Sequence, residues 1–241
     1  MNVKNSIKVL LAVLLVVFAM TGCGMREYIG IVVDSNKDVS VEVVMAMDDE
    51  AIDTFLSMSG TSGDAITDEA RWAYVDGNES EDYNEFTKTK YTTDGFKGYT
   101  YSKKLGAIED YVGKEDEVMV DDISKGGKIF TKNGNNYVLK IDLAGSGDAD
   151  MESYKQYKES GANMDFKVYV KLPVAAIKNN ATKVSDDKLT YEWDMFEAKT
   201  VELEFNLDGA GNNMLPIIIG VVCAVVVIGA IAFVATRKKG E

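Results

Sequence analysis

Alternation of apolar and polar residues predicts β-strands along much of the chain. Residues 29–33 alternate, and after a polar stretch a second alternating run covers residues 39–47. A period of two places every other side chain on one face of a strand. The two runs therefore predict a β-hairpin with one face toward the core. We expect Met45 and Met47 on that face and Ala46 on the face toward water.

The pair Asn133-Gly134 gives the strongest short hairpin signal, because both residue types accept positive φ. It predicts a turn between residues 129–131 and residues 137–143. Further strands are predicted at residues 97–103, 164–172, 189–195 and 201–207.

Three helices interrupt the predicted strands. The first is expected to begin near Asp48, since acidic residues suit the positive end of a helix dipole. The second is expected to begin at Thr67, and the third to cover residues 148–160, with Gly161 ending it. Hairpin-joined strands with few helices predict an α+β domain built mainly on an antiparallel sheet.

One further helix is predicted near the carboxyl terminus. Residues 214–236 contain no charged side chain, and 23 residues at about 1.5 Å each span a ~30 Å hydrocarbon core. The basic triplet 237–239 favours a cytoplasmic tail, residues 237–241. This pattern predicts a transmembrane helix with the preceding domain on the extracytoplasmic face of the cell membrane.

The amino terminus has the pattern of a secretory signal. Two lysines precede an apolar run at residues 9–20, which is too short to span a bilayer easily. The sequence Met20-Thr21-Gly22-Cys23 then resembles a bacterial lipobox. It predicts a signal peptide at residues 1–22 and lipidation of Cys23. The alternatives are a plain signal peptide in which Cys23 is incidental, and an uncleaved anchor.

Between the two membrane signals lies a region long enough for one sizeable core. We find no internal repeat or low-complexity segment that would divide it. The predicted organisation is therefore a domain at residues 23–207, a Gly-rich linker at 208–213 and the spanning helix.

The chain is acidic, with a formal net charge of −13. A surface of this sign repels nucleic acid, whereas a basic protein remains a candidate partner. The alternative is that the acidic residues only keep an exported domain soluble.

Composition argues against most catalytic and metal chemistry. The chain has no histidine, and its two cysteines, Cys23 and Cys223, lie in the lipobox and the predicted membrane helix. Residues 76–82 resemble a calcium loop, but Glu81 stands where glycine is required and Thr87 where a glutamate should close the site. We therefore expect no enzyme activity, no cofactor and no metal site. A hydrolase with two carboxylates is an outlying alternative.

The methionines and tyrosines are the candidate binding residues. Flexible thioethers suit either an ordinary core or an adaptable lipid cavity. The methionines concerned are Met45, Met47, Met58, Met119, Met151, Met164 and Met195. Tyr99, Tyr101 and Tyr169 are expected to be exposed, where they would form a protein or glycan contact surface.

A family resemblance rests on the lipobox, the early hairpin, the segment Asn180-Ala181-Thr182, the strand with Thr190 and Trp193, and the terminal helix. This plan resembles the LppM-type bacterial lipoproteins. The resemblance implies an envelope protein with an α+β domain that binds lipid or lipoglycan, and it brings no catalytic residues. A rival hypothesis is a protein-interaction or scaffolding subunit of a membrane complex.

Overall fold

The computed structural model describes residues 24–78, 83–113, 118–119, 127–143 and 148–208. These ranges form an α+β fold, as the sequence predicted. The strands are β1 (Gly24–Val33), β2 (Asp38–Asp48), β3 (Thr87–Thr93), β4 (Phe96–Ala107), β5 (Val118–Met119), β6 (Thr131–Asn133), β7 (Asn136–Asp142), β8 (Asn163–Lys171), β9 (Lys178–Asn179), β10 (Lys183–Val184), β11 (Thr190–Asp194) and β12 (Thr200–Phe205). The helices are α1 (Asp49–Met58), α2 (Asp68–Gly77) and α3 (Asp148–Glu159).

The larger sheet has seven strands in the order β10-β11-β8-β1-β2-β4-β3. β1 lies in its middle, antiparallel to β2 and parallel to β8. Most pairs are antiparallel, as predicted, but the parallel pair joins strands that are far apart in the sequence. Local periodicity carries no information about such a partner, so the central pairing was not predicted.

The hairpin of β1 and β2 confirms the first strand prediction. Ile31 pairs with Val41, and both are buried. The Asp34 side chain stabilises the turn by accepting hydrogen bonds from the backbone amides of Asn36 and Asp38, at 2.8 and 2.9 Å. An aspartate that bonds its own turn in this way favours tight reversal of the chain.

The expected alternation fails at the end of β2. Both residues lie on the predicted faces, but Met45 is 40% exposed and Ala46 is buried, so the expected burial of the first and exposure of the second were wrong. Ala46 lies in register between Arg26 on β1 and Gly98 on β4. The buried Arg26 side chain shields this small residue on the outer face of the sheet.

The smaller sheet has the order β5-β7-β12-β9, with β6 also paired to β7. The predicted hairpin is present, but Asn133 pairs with Asn136, so Gly134 and Asn135 form the turn. Gly134 alone has a positive φ there, 62°. The turn is thus displaced by one residue from the predicted pair.

All three helices within the described ranges were predicted. The Asp48 carboxylate accepts a hydrogen bond from the Ala51 amide at 2.8 Å and caps α1. Thr67 caps α2 through the Ala70 amide at 3.2 Å. Such caps satisfy backbone amides that have no partner within the helix. Gly161, after α3, has a φ of 105°, a conformation that glycine adopts without steric cost.

The core lies between the inner face of the large sheet and the smaller sheet. Its largest fully buried side chains include Trp193 and Tyr191 on β11 and Phe205 on β12. Phe130 and Tyr137 pack against Phe205, with ring centres 6.0 and 5.5 Å away. These rings pack within the smaller sheet, and the buried side chains of both sheets form one hydrophobic cluster.

Strand β3 was not predicted. Its sequence, Thr-Lys-Thr-Lys-Tyr-Thr-Thr, has no apolar alternation, and most of its side chains are exposed. It is the edge strand of the large sheet. Lysines are typical of edge strands, because they discourage pairing with other chains.

Candidate functional site

The candidate site is a group of partly exposed side chains on the inner face of the large sheet, at the amino-terminal end of β1. We call Met25, Glu27, Ile29, Met45 and Met47 the methionine patch. Met25 pairs with Met47, and Glu27 with Met45. Because strand side chains alternate between faces, all five lie on the same face.

Two helices lie on either side of the methionine patch. α1 follows β2 directly and packs on β1 and β2, with Ala51 against Met47. α3 packs on β8, where the Tyr154 and Phe166 rings meet edge to face at 5.2 Å. The smaller sheet covers the far end of the same face. The patch therefore lies among three covered regions, under α1, α3 and the smaller sheet.

Exposure distinguishes these residues from the rest of the inner face. Met45 is 40% exposed on a central strand, and the other four members are only partly buried. Two rows further along β2, Val41 and Val39 are completely buried. Central strands of a sheet normally bury their inner face, so apolar surface at this position is available to a ligand.

Glu27 is the one charged member of the methionine patch. It lies in register between Met45 on β2 and Phe166 on β8. It makes no hydrogen bond or ion pair with another described residue. Burial raises the pKa of the Glu27 carboxyl above its ordinary value, because an apolar environment disfavours the charged form.

The lysines in the neighbouring rows have other partners. Lys97 contacts Asp49 at 2.5 Å and Asp68 at 3.2 Å, and these contacts raise its pKa against the opposing effect of burial. Lys88 and Lys90 lie on the same face as Glu27, over the rings of Tyr99 and Trp72, at 3.6 and 4.0 Å from the ring centres.

The outer face of the same strands is occupied by an internal network. The Arg26 guanidinium stacks on Phe96, 4.1 Å from the ring centre, and donates a hydrogen bond to the Tyr91 hydroxyl at 2.7 Å. Tyr28 donates to Asp165, and burial raises the pKa of this tyrosine. The Arg26 Nε has no hydrogen bond but lies 3.5 Å from the Asp165 carboxylate. Because these groups pair mainly with one another, the network argues for a structural role on this face.

The segment on which the family resemblance rests is also structural. The indole nitrogen of buried Trp193 donates to the Asn180 side-chain oxygen at 2.7 Å. The same oxygen accepts the Glu202 amide at 2.8 Å, and the Asn180 amide group donates to the Thr200 carbonyl at 3.0 Å. Asn180 thus links β11 of the large sheet with β12 of the small one.

Two surface depressions lie away from the methionine patch. One, of about 590 Å³, lies on α1 and is lined by Glu50, Asp53, Thr54, Ser57 and Met58. The other, of about 670 Å³, lies on the small sheet and is lined by Val138, Lys140, Ile177, Lys178, Asn179, Glu202, Leu203 and Glu204. Both are open to solvent, so neither would enclose an apolar chain.

The tyrosine predictions are only partly confirmed. Tyr99 and Tyr101 are buried, so their expected exposure was wrong; α2 covers Tyr99 through Trp72 and Asp76, and Tyr83 stacks on Tyr101. The prediction failed because the covering residues come from elsewhere in the chain. Tyr169 does lie on the polar, outer face of its strand, but it is not exposed there: it donates to Glu42, and burial raises its pKa.

The methionines divide between core and surface. Met164 is buried, and Met47 and Met195 pack against the core. Met45 and Met58 are exposed. The side chains of Met119 and Met151 lie outside the described part of the chain.

Glu27 was missed by the sequence prediction. A signal was present, because Met25, Ile29 and Ile31 continue the apolar alternation on both sides of Glu27. A charged residue in phase with buried positions marks either a paired charge or a functional group.

The membrane signals fall outside the described residues. The parts of the chain that the structure does not describe include Cys23, the predicted spanning helix 214–236, the tail, most of the linker and residues 79–82 of the acidic loop. Within the described ranges, no helix has the length and apolar character needed to cross a membrane, and no group of side chains has the composition of a metal site.

Comparison with known proteins identifies the family. The chain matches the LppM domain over residues 27–207. A solved structure that is similar is the folded domain of the Mycobacterium tuberculosis LppM protein, determined by NMR, with 14% identity and a TM-score of 0.39 over 76% of this chain and 89% of that one. None of the curated proteins matches. Since the family match spans most of the sequence, this chain belongs to the LppM domain family.

Proposed function

We propose that this protein is a membrane-anchored, extracytoplasmic lipoprotein that binds a lipid or a lipid-linked glycan at the methionine patch. The observation that carries the proposal is the exposure of Met45, 40%, on a central strand whose inner positions Val39, Val41 and Val43 are buried. Family membership supports a lipoprotein-type domain. The lipobox at Cys23 and the apolar run 214–236 supply the two membrane attachments.

The methionines suit an acyl chain. Their side chains are unbranched and flexible, so Met25, Met45 and Met47 can rearrange around ligands of irregular shape. Burial of apolar surface gives about 25 cal/mol per Å², so even a few methylene groups in contact with the patch contribute several kcal/mol.

The position of the patch also favours a lipid ligand. β1 begins at Gly24, directly after the proposed lipid attachment site at Cys23. An anchor there holds the amino-terminal end of β1, and with it Met25 and Met47, near the bilayer surface. A lipid therefore has a short path from the membrane to the patch.

The proposal assigns no chemical reaction to the protein. The chain contains no histidine, and its only cysteines, Cys23 and Cys223, lie in the two membrane signals. The unpaired carboxylate of Glu27 has no second carboxylate opposite it in the sheet register, where Met45 and Phe166 flank it. A pair of carboxylates facing each other is what glycoside hydrolysis requires.

The test is native mass spectrometry of the full chain, purified in mild detergent from a bacterial membrane, with organic extraction of bound molecules. We expect a discrete added mass that extraction identifies as lipid. Met45→Lys should lower lipid occupancy about tenfold, because its aliphatic stem fills the patch and its ammonium group lies beside Glu27.

Met58→Lys is the matched control, since it makes the same change at a methionine that is 55% exposed on α1. Its occupancy should equal that of the wild type. A bare polypeptide mass after incubation with envelope lipids would exclude lipid binding. Equal occupancy in Met45→Lys and wild type would exclude the methionine patch as the site.

A protein-interaction role is the second candidate. The depression on α1 combines Glu50 and Asp53 with the exposed Met58. Acidic side chains around an exposed methionine suit a basic, amphipathic partner. A stoichiometric partner that dissociates at high salt and is lost in Met58→Lys would favour this role over lipid binding.

A further inference from the structure

Glu27 is an unpaired charge among apolar side chains, an arrangement that costs stability unless a ligand completes it. Its register neighbours are Met45 and Phe166, and Met25 and Ile29 flank it on the same face of β1. Within the described residues it has neither an ion-pair nor a hydrogen-bond partner. A carboxylate that loses contact with water and gains no partner destabilises the protein, so its native partner is expected to be a donor.

The cations nearest along the sheet are committed elsewhere. Lys97 is held by Asp49 and Asp68. On the side of α3, Lys158 lies 3.2 Å from Asp194 and 4.2 Å from the centre of the Phe196 ring. Arg26 belongs to the opposite face of β1. Glu27 therefore keeps its acceptor capacity for a molecule that enters the methionine patch.

We propose that Glu27 selects the polar part of the bound lipid by accepting hydrogen bonds from its headgroup. The headgroup must then carry N–H or O–H donors, as an ammonium group or a sugar does. This inference rests on the proposed lipid binding and adds the class of headgroup. The raised pKa of Glu27 agrees with this inference. Burial has taken water away from the carboxylate, so a donor on the ligand would replace the lost hydrogen bonds.

The two kinds of headgroup differ in whether they leave the Glu27 carboxylate with a hydrogen bond after binding. A lipid with a donor headgroup pairs with the carboxylate, and a hydrogen bond to a charged group is stronger than one between neutral groups. A quaternary ammonium headgroup has no donor and leaves Glu27 buried without a hydrogen bond. Sites that require a hydrogen bond reject molecules lacking it strongly, because the buried polar group is then unsatisfied.

The experiment compares three lipids with identical acyl chains, each titrated onto the delipidated full chain in detergent and quantified by native mass spectrometry. Phosphatidylethanolamine supplies ammonium donors, and a glucosyl diacylglycerol supplies hydroxyl donors. Phosphatidylcholine has the same net charge as phosphatidylethanolamine but no N–H donor. We expect one or both donor lipids to bind at least tenfold more tightly than phosphatidylcholine. The stronger of the two identifies the source of the donor.

Variants assign the preference to Glu27. The glutamine of Glu27→Gln is still an acceptor but carries no charge. This variant should therefore no longer prefer the ammonium lipid to phosphatidylcholine, and it should keep part of its preference for the glucosyl lipid. Glu27→Leu should bind all three alike. Glu202→Gln removes one exposed charge on β12 and should keep the wild-type order. Near-ultraviolet circular dichroism checks that each variant is folded.

The outcomes separate the two proposals. Equal affinities of the wild type for all three lipids, unchanged in Glu27→Gln, would overturn headgroup selection while leaving lipid binding intact. Failure of the wild type to bind any lipid would instead overturn the proposed function itself.

Discussion

At the scale of single residues, Glu27 is a position where an apolar residue would make the unliganded protein more stable. Every other position on its face of β1 is apolar, and a leucine there would continue the inner face without a desolvation cost. Residues that reduce stability in this way are typical of functional sites, where the cost is recovered when the ligand binds. The stability of the unliganded protein therefore depends on the charge of this one carboxyl.

We predict that Glu27→Gln stabilises the delipidated protein at pH 7 by about 1 to 3 kcal/mol, because the uncharged amide is less costly to bury. Burial raises the folded pKa above the ordinary 4.5, so the folded protein retains this proton longer than the unfolded chain. Wild-type stability should thus fall as the pH rises from 4.5 through the raised pKa.

The measurement is the thermal midpoint of both proteins between pH 4 and pH 8. The midpoint of Glu27→Gln should exceed that of the wild type by several degrees at pH 7, and the two should converge below pH 4.5. Glu202→Gln, at an exposed position, should not shift it measurably. A constant difference across the whole pH range would contradict a role for the Glu27 charge.

At the scale of elements, one amide side chain makes hydrogen bonds to both sheets. Asn180 joins Trp193 of β11 to the backbone of β12, although both strands belong to different sheets. Its neighbours β9 and β10 are only two residues each, so backbone pairing there is limited. The contact of the sheets is therefore sensitive to this side chain.

We predict that Asn180→Ala lowers the free energy of unfolding by about 1 to 3 kcal/mol, because it leaves the buried indole donor of Trp193 without a partner. Chemical denaturation monitored by tryptophan fluorescence measures the loss. Asn179→Ala removes one exposed hydrogen bond, to the Ala181 amide, and should cost clearly less. Equal losses in the two variants would show that Asn180 does not hold the junction.

The elements also show what sequence can and cannot predict. Helices with strong caps, such as the one begun by Asp48, and strands with clean alternation, such as residues 164–170, were predicted because their signals are local. β3 and the β1–β8 pair were not, since an exposed edge strand lacks alternation and a distant partner leaves no local pattern. The burial of Tyr99 and exposure of Met45 likewise depend on α1, α2 and α3 packing over part of the sheet.

At the scale of the whole molecule, two membrane attachments would constrain one small domain. A single acyl chain binds a bilayer only marginally, whereas a spanning helix is effectively irreversible. The lipid at Cys23 would then orient the domain, with the methionine patch near the bilayer, while residues 214–236 retain it.

We predict that Cys23→Ser abolishes incorporation of a clickable fatty acid but leaves the chain in the membrane fraction. Additional deletion of residues 214–241 should release the domain, provided that the signal peptide is still removed. Labelling and fractionation of the same cultures measure both effects. Persistent labelling of Cys23→Ser would contradict the lipobox assignment, and release by Cys23→Ser alone would contradict the spanning helix.

The parallel pairing of β1 with β8 has a consequence for biogenesis. Gly24 pairs with Asn163, so the middle of the sheet closes only after most of the domain has been synthesised. At about 5 to 20 residues per second, one side of β1 waits on the order of ten seconds for its partner. During that time the early hairpin exposes an unpaired edge. Ribosome stalling or premature termination before β8 would therefore leave a fragment ready to pair with other chains.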